Sequence, residues 1–292
     1  MHEAGEILRA AREVAINLSY IGKSTAHGLE RRLRDHRGAS AVGPVTFVVG
    51  SPRSGTTFLA GALAEGGNML DLGEVAALKR RIPELLELPE QERRRRIART
   101  IGVVRSLSLA RTRRAVEQTP ETSFVLASAL AAFPDAYAVH ALRDGRDVVC
   151  SLIERGWLRD NRGGSDDAGQ AYGSHARFWV EEGRRDEFVH ASEATRCAWA
   201  WRRYVEAARS VGERTIEVRY EQLTSEPTAT AAYVAEELGL AAEPLMATFA
   251  EAHDESVGRW RRELTPEQLD DVEREAGALL EELGYLGGVP VT

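Results

Sequence analysis

The chain has 292 residues, of which 43% are hydrophobic, so it can form one large α/β domain or two smaller domains. Its formal net charge of −7 argues against a general nucleic-acid binder, which would carry a basic excess. Two cysteines without metal-like spacing support neither a disulfide framework nor a zinc site. The apolar runs are far shorter than the ~20 residues of a membrane span, and no signal peptide is evident. We therefore expect a soluble, cytoplasmic protein.

The N-terminal region is predicted to be an amphipathic helix. Apolar side chains recur near the helical period, among charges, over residues 5–36. The mixed rather than basic polar face favours packing on the core or on a second copy over attachment to a membrane surface. We expect residues 1–40 to form this helical lead-in and residues 41–292 to form the main domain.

The first strand leads into a turn built like a phosphate-binding loop. Residues 45–49 are apolar, and Gly50 and Gly55 then keep the spacing of that loop. Backbone N–H groups that converge at a helix start bind an anion whatever the side chains are. Thr56 stands where nucleotide triphosphatases have their lysine, so the pattern predicts phosphate binding without ATPase chemistry. Arg53 offers a fixed cation with planar donors instead.

A run of arginines follows in a segment predicted to be helical, residues 89–114. It includes Arg93 to Arg96. Such a run is most often a solvated face; a positively charged rim that attracts an anionic cofactor or acceptor is the alternative. The chain has only two lysines, Lys23 and Lys79. An anionic ligand must therefore be bound almost entirely by arginines, backbone N–H groups and hydroxyls.

The rest of the chain continues the alternation of strands and helices. Residues 137–142 and 215–219 are strand candidates, and residues 266–283 form a closing helix. This alternation predicts a P-loop-like, three-layer α/β fold: a parallel sheet of four or five strands flanked by helices, with the ligand at the carboxyl ends of the strands. Residues 158–195, with part of 79–115, are expected to cover an acceptor. Four aromatic residues are expected to be buried in the core, with the walls of an apolar acceptor pocket as the alternative. They are Trp179, Trp199, Trp201 and Tyr204.

Two motifs together carry a resemblance to a known family. Pro-Arg-Ser-Gly-Thr-Thr occupies residues 52–57, and Arg-Asp-Gly-Arg-Asp-Val begins at Arg143, with Ser151 eight residues after that arginine. This set resembles the sulfotransferases that use 3′-phosphoadenosine 5′-phosphosulfate (PAPS), of the bacterial type, with similarity to tyrosylprotein-type members around the donor loops. Residues 220–223 and 258–262 are similar to two later landmarks of the family.

The resemblance implies how the donor is held. The first loop would bind the 5′-phosphosulfate. Arg143 and Ser151 would bind the 3′-phosphate. Tyr220 would lie by the adenine, and Phe58 would either stack on the adenine or belong to the core. The implied donor-binding set is Arg53, Ser54, Gly55, Thr56, Thr57, Phe58, Arg143, Ser151, Tyr220, Arg259 and Arg261.

The implied activity is transfer of a sulfuryl group to a hydroxyl of a small-molecule, glycan or lipid-like acceptor. The product would be 3′,5′-bisphosphoadenosine, and the reaction needs no metal. Arg53 would neutralise charge on the leaving phosphate oxygen. Glu74 is similar to the glutamate of a Gly-Glu pair that is taken as the base in related enzymes. His140 lies inside an apolar strand and is expected to be a sheet histidine rather than a competing base.

The chain also departs from the family pattern. Gln118 replaces a residue that is often lysine, and residues 253–255 replace an Arg-Lys-Gly clamp, so Arg259, Arg261 or Arg262 is expected to do its work. Two alternatives follow. One is a P-loop kinase-like nucleotide-binding protein, whose magnesium carboxylate could come only from Glu217 within the strand at 215–220. The other is a PAPS-binding scaffold without turnover.

Overall fold

A computed structural model describes residues 43–108, 113–159 and 177–286. The helical lead-in predicted for residues 1–40 lies outside the described residues. So does most of the Gly-, Asp- and Ser-rich stretch between residues 158 and 178.

One parallel sheet of five strands forms the centre of the protein, in the order β2-β3-β1-β4-β5. The two neighbouring strands β1 and β4 are almost wholly buried, which is typical of central parallel strands covered on both faces. The predicted α/β class and parallel sheet are confirmed. The strands are β1 (Val45–Val49), β2 (Leu70–Asp71), β3 (Ala115–Glu117), β4 (Tyr137–Leu142) and β5 (Thr215–Arg219).

Helices flank the sheet, and several begin with recognisable caps. Asp144 caps the helix after β4, and Thr265 forms a capping box with Gln268 at the start of the closing helix. The helices are α1 (Thr56–Gly66), α2 (Ala76–Lys79), α3 (Ile82–Glu87), α4 (Glu90–Ser106), α5 (Leu126–Ala132), α6 (Gly145–Arg155), α7 (Arg185–His190), α8 (Glu193–Arg209), α9 (Tyr220–Ser225), α10 (Pro227–Leu238), α11 (Ala242–Phe249), α12 (Trp260–Glu263) and α13 (Pro266–Glu282), with 3-10 helices at Pro120–Val125 and Glu182–Arg184.

Each face of the sheet carries its own core. Alternate side chains of a strand point to opposite faces, so β1 directs Phe47 and Val49 to one side and Val48 to the other. Helices α3, α4 and α5 pack on the Phe47 side. Helices α1, α10 and α11 pack on the Val48 side. The predicted three-layer arrangement follows directly from this alternation.

A third apolar cluster joins α6, α8 and α13 beside the sheet. Trp199 and Trp201 are fully buried within it, and Trp179 and Tyr204 are almost so. The core interpretation of these aromatic residues is therefore correct. Within the described ranges, no helix combines the length and the apolar content needed to cross a membrane.

The arginine run lies on α4, and the side chains of Arg93, Arg94 and Arg96 have partners on the protein. Arg93 donates to the carbonyl oxygens of Leu85 and Leu88, at 2.7 and 3.0 Å. Arg94 pairs with Glu90 one helical turn away. Exposed ion pairs of this kind contribute at most about 1 kcal/mol to stability. These contacts fit the solvated-face interpretation better than a rim that attracts anions.

Candidate donor and acceptor site

The order of the strands brings the two predicted turns to one place. β1 and β4 are hydrogen-bonded neighbours, with Val49 opposite His140. Both strands are parallel, so the turns that follow them leave the same edge of the sheet, as ligand sites in open α/β sheets do.

The first turn, residues 50–55, has a backbone that few residue types can adopt. Gly50 has φ 137° and Gly55 has φ 92°, and Arg53 is a non-glycine residue with φ 73°. A Cβ at Gly50 would lie 2.4 Å from the carbonyl oxygen of Ala141, so no side chain fits there. Positive φ is readily available only to glycine. The two glycines therefore create the turn, and the backbone strain at Arg53 is of the kind often found at functional sites.

The hydroxyl groups of this turn suit an anion. Ser54 is 2% exposed, and its Oγ has no hydrogen-bond partner among the described residues. Buried polar atoms normally have a partner, so this hydroxyl fits a site made for a ligand oxygen. Thr56 is buried at the first position of α1, whose first turn has no acidic residue. That composition favours binding of an anion at the start of the helix.

The second turn presents Arg143 to the first one. Its side chain is 5% exposed, and Nη1 donates to the carbonyl oxygen of Arg53 at 3.2 Å. Its other terminal nitrogen donates to the carbonyl oxygen of Ser256. The guanidinium lies 4.7 Å from the centre of the Tyr220 ring. A cation that is buried and held on three sides is already oriented for a phosphate.

Arg53 completes the connection between the two turns. Its Nε donates to Oγ of Ser151 at 2.9 Å, across 98 residues of sequence, and its guanidinium carbon lies 5.7 Å from the Trp157 ring. Ser151 is buried on α6. The residues assigned to the two ends of one nucleotide are thus in direct contact.

Arg146 plays a structural part in the second turn. It forms hydrogen bonds with both carboxylate oxygens of Asp144, the nearest at 2.7 Å, and with the carbonyl oxygen of Tyr285 at 2.7 Å. Its guanidinium also stacks 3.9 Å from the Trp260 ring. These contacts hold it as a brace between the turn and the C-terminal part of the chain.

Asp147 links the second turn to the segment 253–262, and the sequence analysis did not recognise its role. Its carboxylate accepts hydrogen bonds from the backbone N–H groups of Gly258 at 2.7 Å and Trp260 at 3.0 Å. Burial raises the pKa of this carboxyl, against the lowering effect of those two bonds. The only signal in the sequence was the second aspartate of the Arg-Asp-Gly-Arg-Asp motif.

Two of the three arginines expected to replace the missing clamp, Arg259 and Arg261, have their contacts elsewhere. Arg259 forms ion pairs with Glu154 at 3.0 Å and Glu263 at 2.6 Å. Arg261 lies 4.6 Å from the Trp260 ring and lines a cavity of about 720 Å³. Neither Arg143 nor Ser151 lines that cavity. The structure therefore does not bring these two guanidinium groups to the turns in the way it brings Arg53.

The aromatic residues assigned to adenine differ in their surroundings. Tyr220 lies against the first turn, because a Cβ at Gly55 would come within 2.8 Å of its ring. Its hydroxyl donates to the carbonyl oxygen of His253 at 2.8 Å. Phe58 is half-buried and packs at the border of the apolar cluster that includes Leu59.

Glu74 follows β2 and is connected to the first turn through Gln118. The carbonyl oxygen of Gly73 accepts from the backbone N–H of Gln118 at 3.2 Å. The side-chain oxygen of Gln118 in turn accepts from the hydroxyl of Thr57 at 3.4 Å. Glu74 is 32% exposed and accepts from Nζ of Lys79 at 2.9 Å. The expected base thus lies on a segment linked to the start of α1, and its sequence context gave no sign that Lys79 would be its partner.

His140 is a sheet histidine, as expected. It is 1% exposed, and its Nδ1 lies 3.4 Å from a carboxylate oxygen of Glu217 on β5. Glu217 also pairs with Arg209 at 3.2 Å. The carboxylate that a magnesium-dependent kinase would need is therefore engaged by His140 of the neighbouring strand and by Arg209 at the end of α8.

Comparison with known proteins agrees with this architecture. A family model described as the sulfotransferase family matches residues 44–244, more than half of the chain. The chain belongs to the sulfotransferase family. The resemblance drawn from the two motifs is thereby confirmed, and with it an enzyme of sulfuryl transfer. None of the curated proteins matches this sequence.

Solved structures that are similar to this chain include sulfotransferases of low sequence identity, and the likeness of fold rests on the first one described here. The sulfotransferase domain from the curacin biosynthetic pathway is 15% identical, with a TM-score of 0.53 over 82% of this chain and 98% of that domain. The sulfotransferase domain from the Synechococcus PCC 7002 olefin synthase is 16% identical, with a TM-score of 0.46 over 88% of this chain and 99% of that one. Mouse sulfotransferase SULT7A1 complexed with PAP is 15% identical, with a TM-score of 0.46 over 84% and 89%.

Proposed function

We propose that this sulfotransferase uses PAPS as its donor and transfers the sulfuryl group to a hydroxyl of a small-molecule, glycan or lipid-like acceptor. The observation that carries the proposal is the contact between the two turns. Arg53 reaches Ser151 at 2.9 Å, and Arg143 reaches the Arg53 backbone at 3.2 Å. One nucleotide with a phosphate group at each end can therefore be held by both turns. We assign this activity to the domain at 41–292.

The donor is bound by groups that are already in place. The N–H groups at the start of α1, with the hydroxyls of Ser54, Thr56 and Thr57, suit the 5′-phosphosulfate. Arg143 and Ser151 suit the 3′-phosphate through charge-assisted hydrogen bonds. Tyr220, with Phe58 nearby on α1, offers an aromatic surface to the adenine.

Two residues are assigned to the chemical step. The donor supplies an activated sulfuryl group when bound. Glu74 accepts the proton of the acceptor hydroxyl as that oxygen attacks sulfur. Arg53 stabilises the negative charge that develops on the phosphate side as the sulfur–oxygen bond breaks. Arg259 and Arg261 stay candidates for donor contacts only if the segment 253–262 rearranges on binding.

Thermal unfolding with nucleotides tests the donor assignment. A saturating concentration of 3′,5′-bisphosphoadenosine should raise Tm without magnesium, since a ligand at 100 times its Kd stabilises by about 2.7 kcal/mol. Adenosine 5′-monophosphate, which lacks the 3′-phosphate, should raise Tm much less. No shift with millimolar 3′,5′-bisphosphoadenosine would contradict the proposal, and magnesium-dependent ATP turnover would favour the kinase-like alternative.

A substitution of the base separates an enzyme from a scaffold without turnover. Incubation with ³⁵S-labelled PAPS and a cell extract should yield a labelled sulfate ester, whose identification gives the acceptor. Glu74→Gln should reduce that turnover about 100-fold or more, the contribution typical of a general base. It should leave the Tm shift by 3′,5′-bisphosphoadenosine unchanged. Equal turnover in both forms would exclude Glu74 as the base.

A further inference from the structure

A buried lysine lies beside the proposed base. Lys79 is the last residue of α2, and its side chain is only 3% exposed. Its Nζ lies 2.9 Å from a carboxylate oxygen of Glu74 and 3.6 Å from one of Glu121. An ammonium group removed from water costs several kcal/mol unless it is paired. Burying the ammonium group of Lys79 therefore costs free energy, and its pairing with the two carboxylates offsets that cost.

The two carboxylates differ in their surroundings. The side chain of Glu121 is 4% exposed, and that of Glu74 is 32% exposed. Glu121 belongs to the 3-10 helix Pro120–Val125, which packs on α8. Tyr204 of α8 is almost fully buried, and burial, the charge of Glu121 and a hydrogen bond to that carboxylate raise the pKa of this tyrosine. The buried Glu121 therefore holds the ammonium group of Lys79 from the interior, and the partly exposed Glu74 contacts the same group.

We propose that Lys79 is a positioning residue that orients the carboxylate of Glu74 toward the acceptor and keeps it ionised. The inference rests on the proposed function, because it assigns a role in the same reaction. Its physical basis is the difference in burial between the side chains of Lys79 and Glu74. A salt bridge between two exposed side chains is worth little and holds neither in place, whereas one rigid, buried partner fixes the direction of the other.

Lys79 does not replace the cation missing at Gln118. Its amine is shared between the carboxylates of Glu74 and Glu121, so its charge acts on the base rather than on the sulfuryl group. Among the described residues, Tyr204 of α8 also interacts with this group: it is hydrogen-bonded to Glu121 and acts electrostatically with Lys79 and Arg177.

Nuclear magnetic resonance of lysine side chains provides a test that needs no activity. The chain contains only Lys23 and Lys79, so protein labelled at the lysine Cε gives two signals, and Lys23→Arg leaves that of Lys79. The Lys79 signal should shift with pH as the Glu74 carboxyl titrates. Glu74→Gln should abolish that shift. A Lys79 signal that responds identically with and without Glu74 would overturn the inference.

The dependence of the rate on pH provides the second test. Hydrolysis of ³⁵S-labelled PAPS serves as the reaction: water forms the new bond to sulfur, its proton passes to Glu74, and sulfate and 3′,5′-bisphosphoadenosine leave. The acidic limb of kcat/KM reports the base of the unbound enzyme. Lys79→Met should move this limb up by about one pH unit, because a nearby cation favours the ionised carboxylate. Glu121→Gln should move it down, because a competing negative charge is lost.

A matched control separates positioning from stability. Arg202 is a largely buried cation that pairs with Glu181, Glu206 and Glu275. Arg202→Met should lower Tm without moving the acidic limb. If the acidic limb of kcat/KM stays at the same pH in both Lys79→Met and Glu121→Gln, the inference is overturned. If Lys79→Met does not fold, the result for Glu121→Gln alone decides. A wild-type protein that fails to bind 3′,5′-bisphosphoadenosine instead overturns the proposed function.

Discussion

The two turns of the site are built by different means. The first depends on its own backbone, with positive φ at Gly50, Arg53 and Gly55. The second depends on side chains, because Asp144 caps α6 and the indole N–H of Trp201 donates to the carbonyl oxygen of Arg143 at 3.1 Å. A turn made by the backbone is specified by a few adjacent residues. A turn made by side chains depends on distant parts of the chain.

This difference predicts how each turn tolerates substitution. Changes in the first turn should act through local geometry, and changes in the second through lost partners. Three of the following experiments test that distinction, in order of decreasing effect on donor affinity, and one further experiment concerns the pH dependence of stability.

The largest effect is expected from Arg143→Ala in the second turn. Removing one partner of a buried charge pair typically costs 2–5 kcal/mol, so the affinity for 3′,5′-bisphosphoadenosine should fall about 100-fold or more. Isothermal titration calorimetry measures this directly. Arg214→Met is a suitable control, because Arg214 donates to backbone carbonyls such as those of Leu130 and Pro134, away from both turns. Unchanged affinity in Arg143→Ala would remove this residue from the site.

The next effect is expected from Gly55→Ala in the first turn. Its φ of 92° and the Tyr220 ring 2.8 Å from the new Cβ leave no room for a methyl group. Affinity for 3′,5′-bisphosphoadenosine should fall about 10-fold or more, the result of 1–3 kcal/mol of strain. Gly61→Ala is the matched control: Gly61 lies in α1 with nothing within 4 Å of its Cβ position. That change should stabilise the protein by about 0.5–1 kcal/mol. Equal losses of affinity in Gly55→Ala and Gly61→Ala would contradict the idea that the first turn depends on its own backbone geometry.

A buried carboxyl at the end of β3 should make stability depend on pH. Glu117 is fully buried at the end of β3, and burial raises its pKa from 4.5 to about 8, although hydrogen bonds from Thr119 and Thr122 oppose this. The folded protein therefore retains a proton that the unfolded chain loses near pH 4.5. The stability that this proton provides is complete below about pH 4.5, declines as pH rises, and is gone above about pH 8.

Glu117→Gln, which cannot ionise, tests that dependence. Its free energy of unfolding relative to the wild type should rise by about 4 kcal/mol between pH 5 and pH 9, because each unit of the raised pKa corresponds to about 1.4 kcal/mol. Urea denaturation at both pH values measures the difference. A constant difference would show that Glu117 does not retain a proton in the folded state.

The smallest effect is expected from Asp147→Asn in the second turn. The carboxylate bonds of Asp147 to the N–H groups of Gly258 and Trp260 tie the segment 253–262 to α6. Asparagine keeps one carbonyl acceptor and loses the charge, at a cost of about 1 kcal/mol. Donor affinity should fall about 3- to 10-fold, and hydrogen exchange in residues 253–262 should increase. Unaltered exchange would show that Asp147 does not hold this segment.

The sequence was sufficient for the features that are local. Gly50 and Gly55 indicated the first turn because their spacing reflects a backbone shape. The alternation of strands and helices indicated the parallel sheet, and the burial of His140 followed from the apolar residues around it.

The features that escaped prediction depend on distant contacts. Asp147 bonds to residues 111 and 113 positions away, and Lys79 meets Glu121 across two separate helices. A motif does not state which of its charged residues will find a partner in the fold. For the same reason Arg259 is an ion-pair partner of Glu154, although its sequence context suggested contacts with the donor.

The position of Trp260 gives this protein an internal optical probe. Its indole lies within 5 Å of the guanidinium groups of Arg146 (3.9 Å) and Arg261 (4.6 Å), and its backbone N–H donates to Asp147. Any displacement of residues 253–262 on nucleotide addition should alter the emission of that one indole. With the other four tryptophans replaced by phenylalanine, stopped-flow fluorescence would time the motion directly.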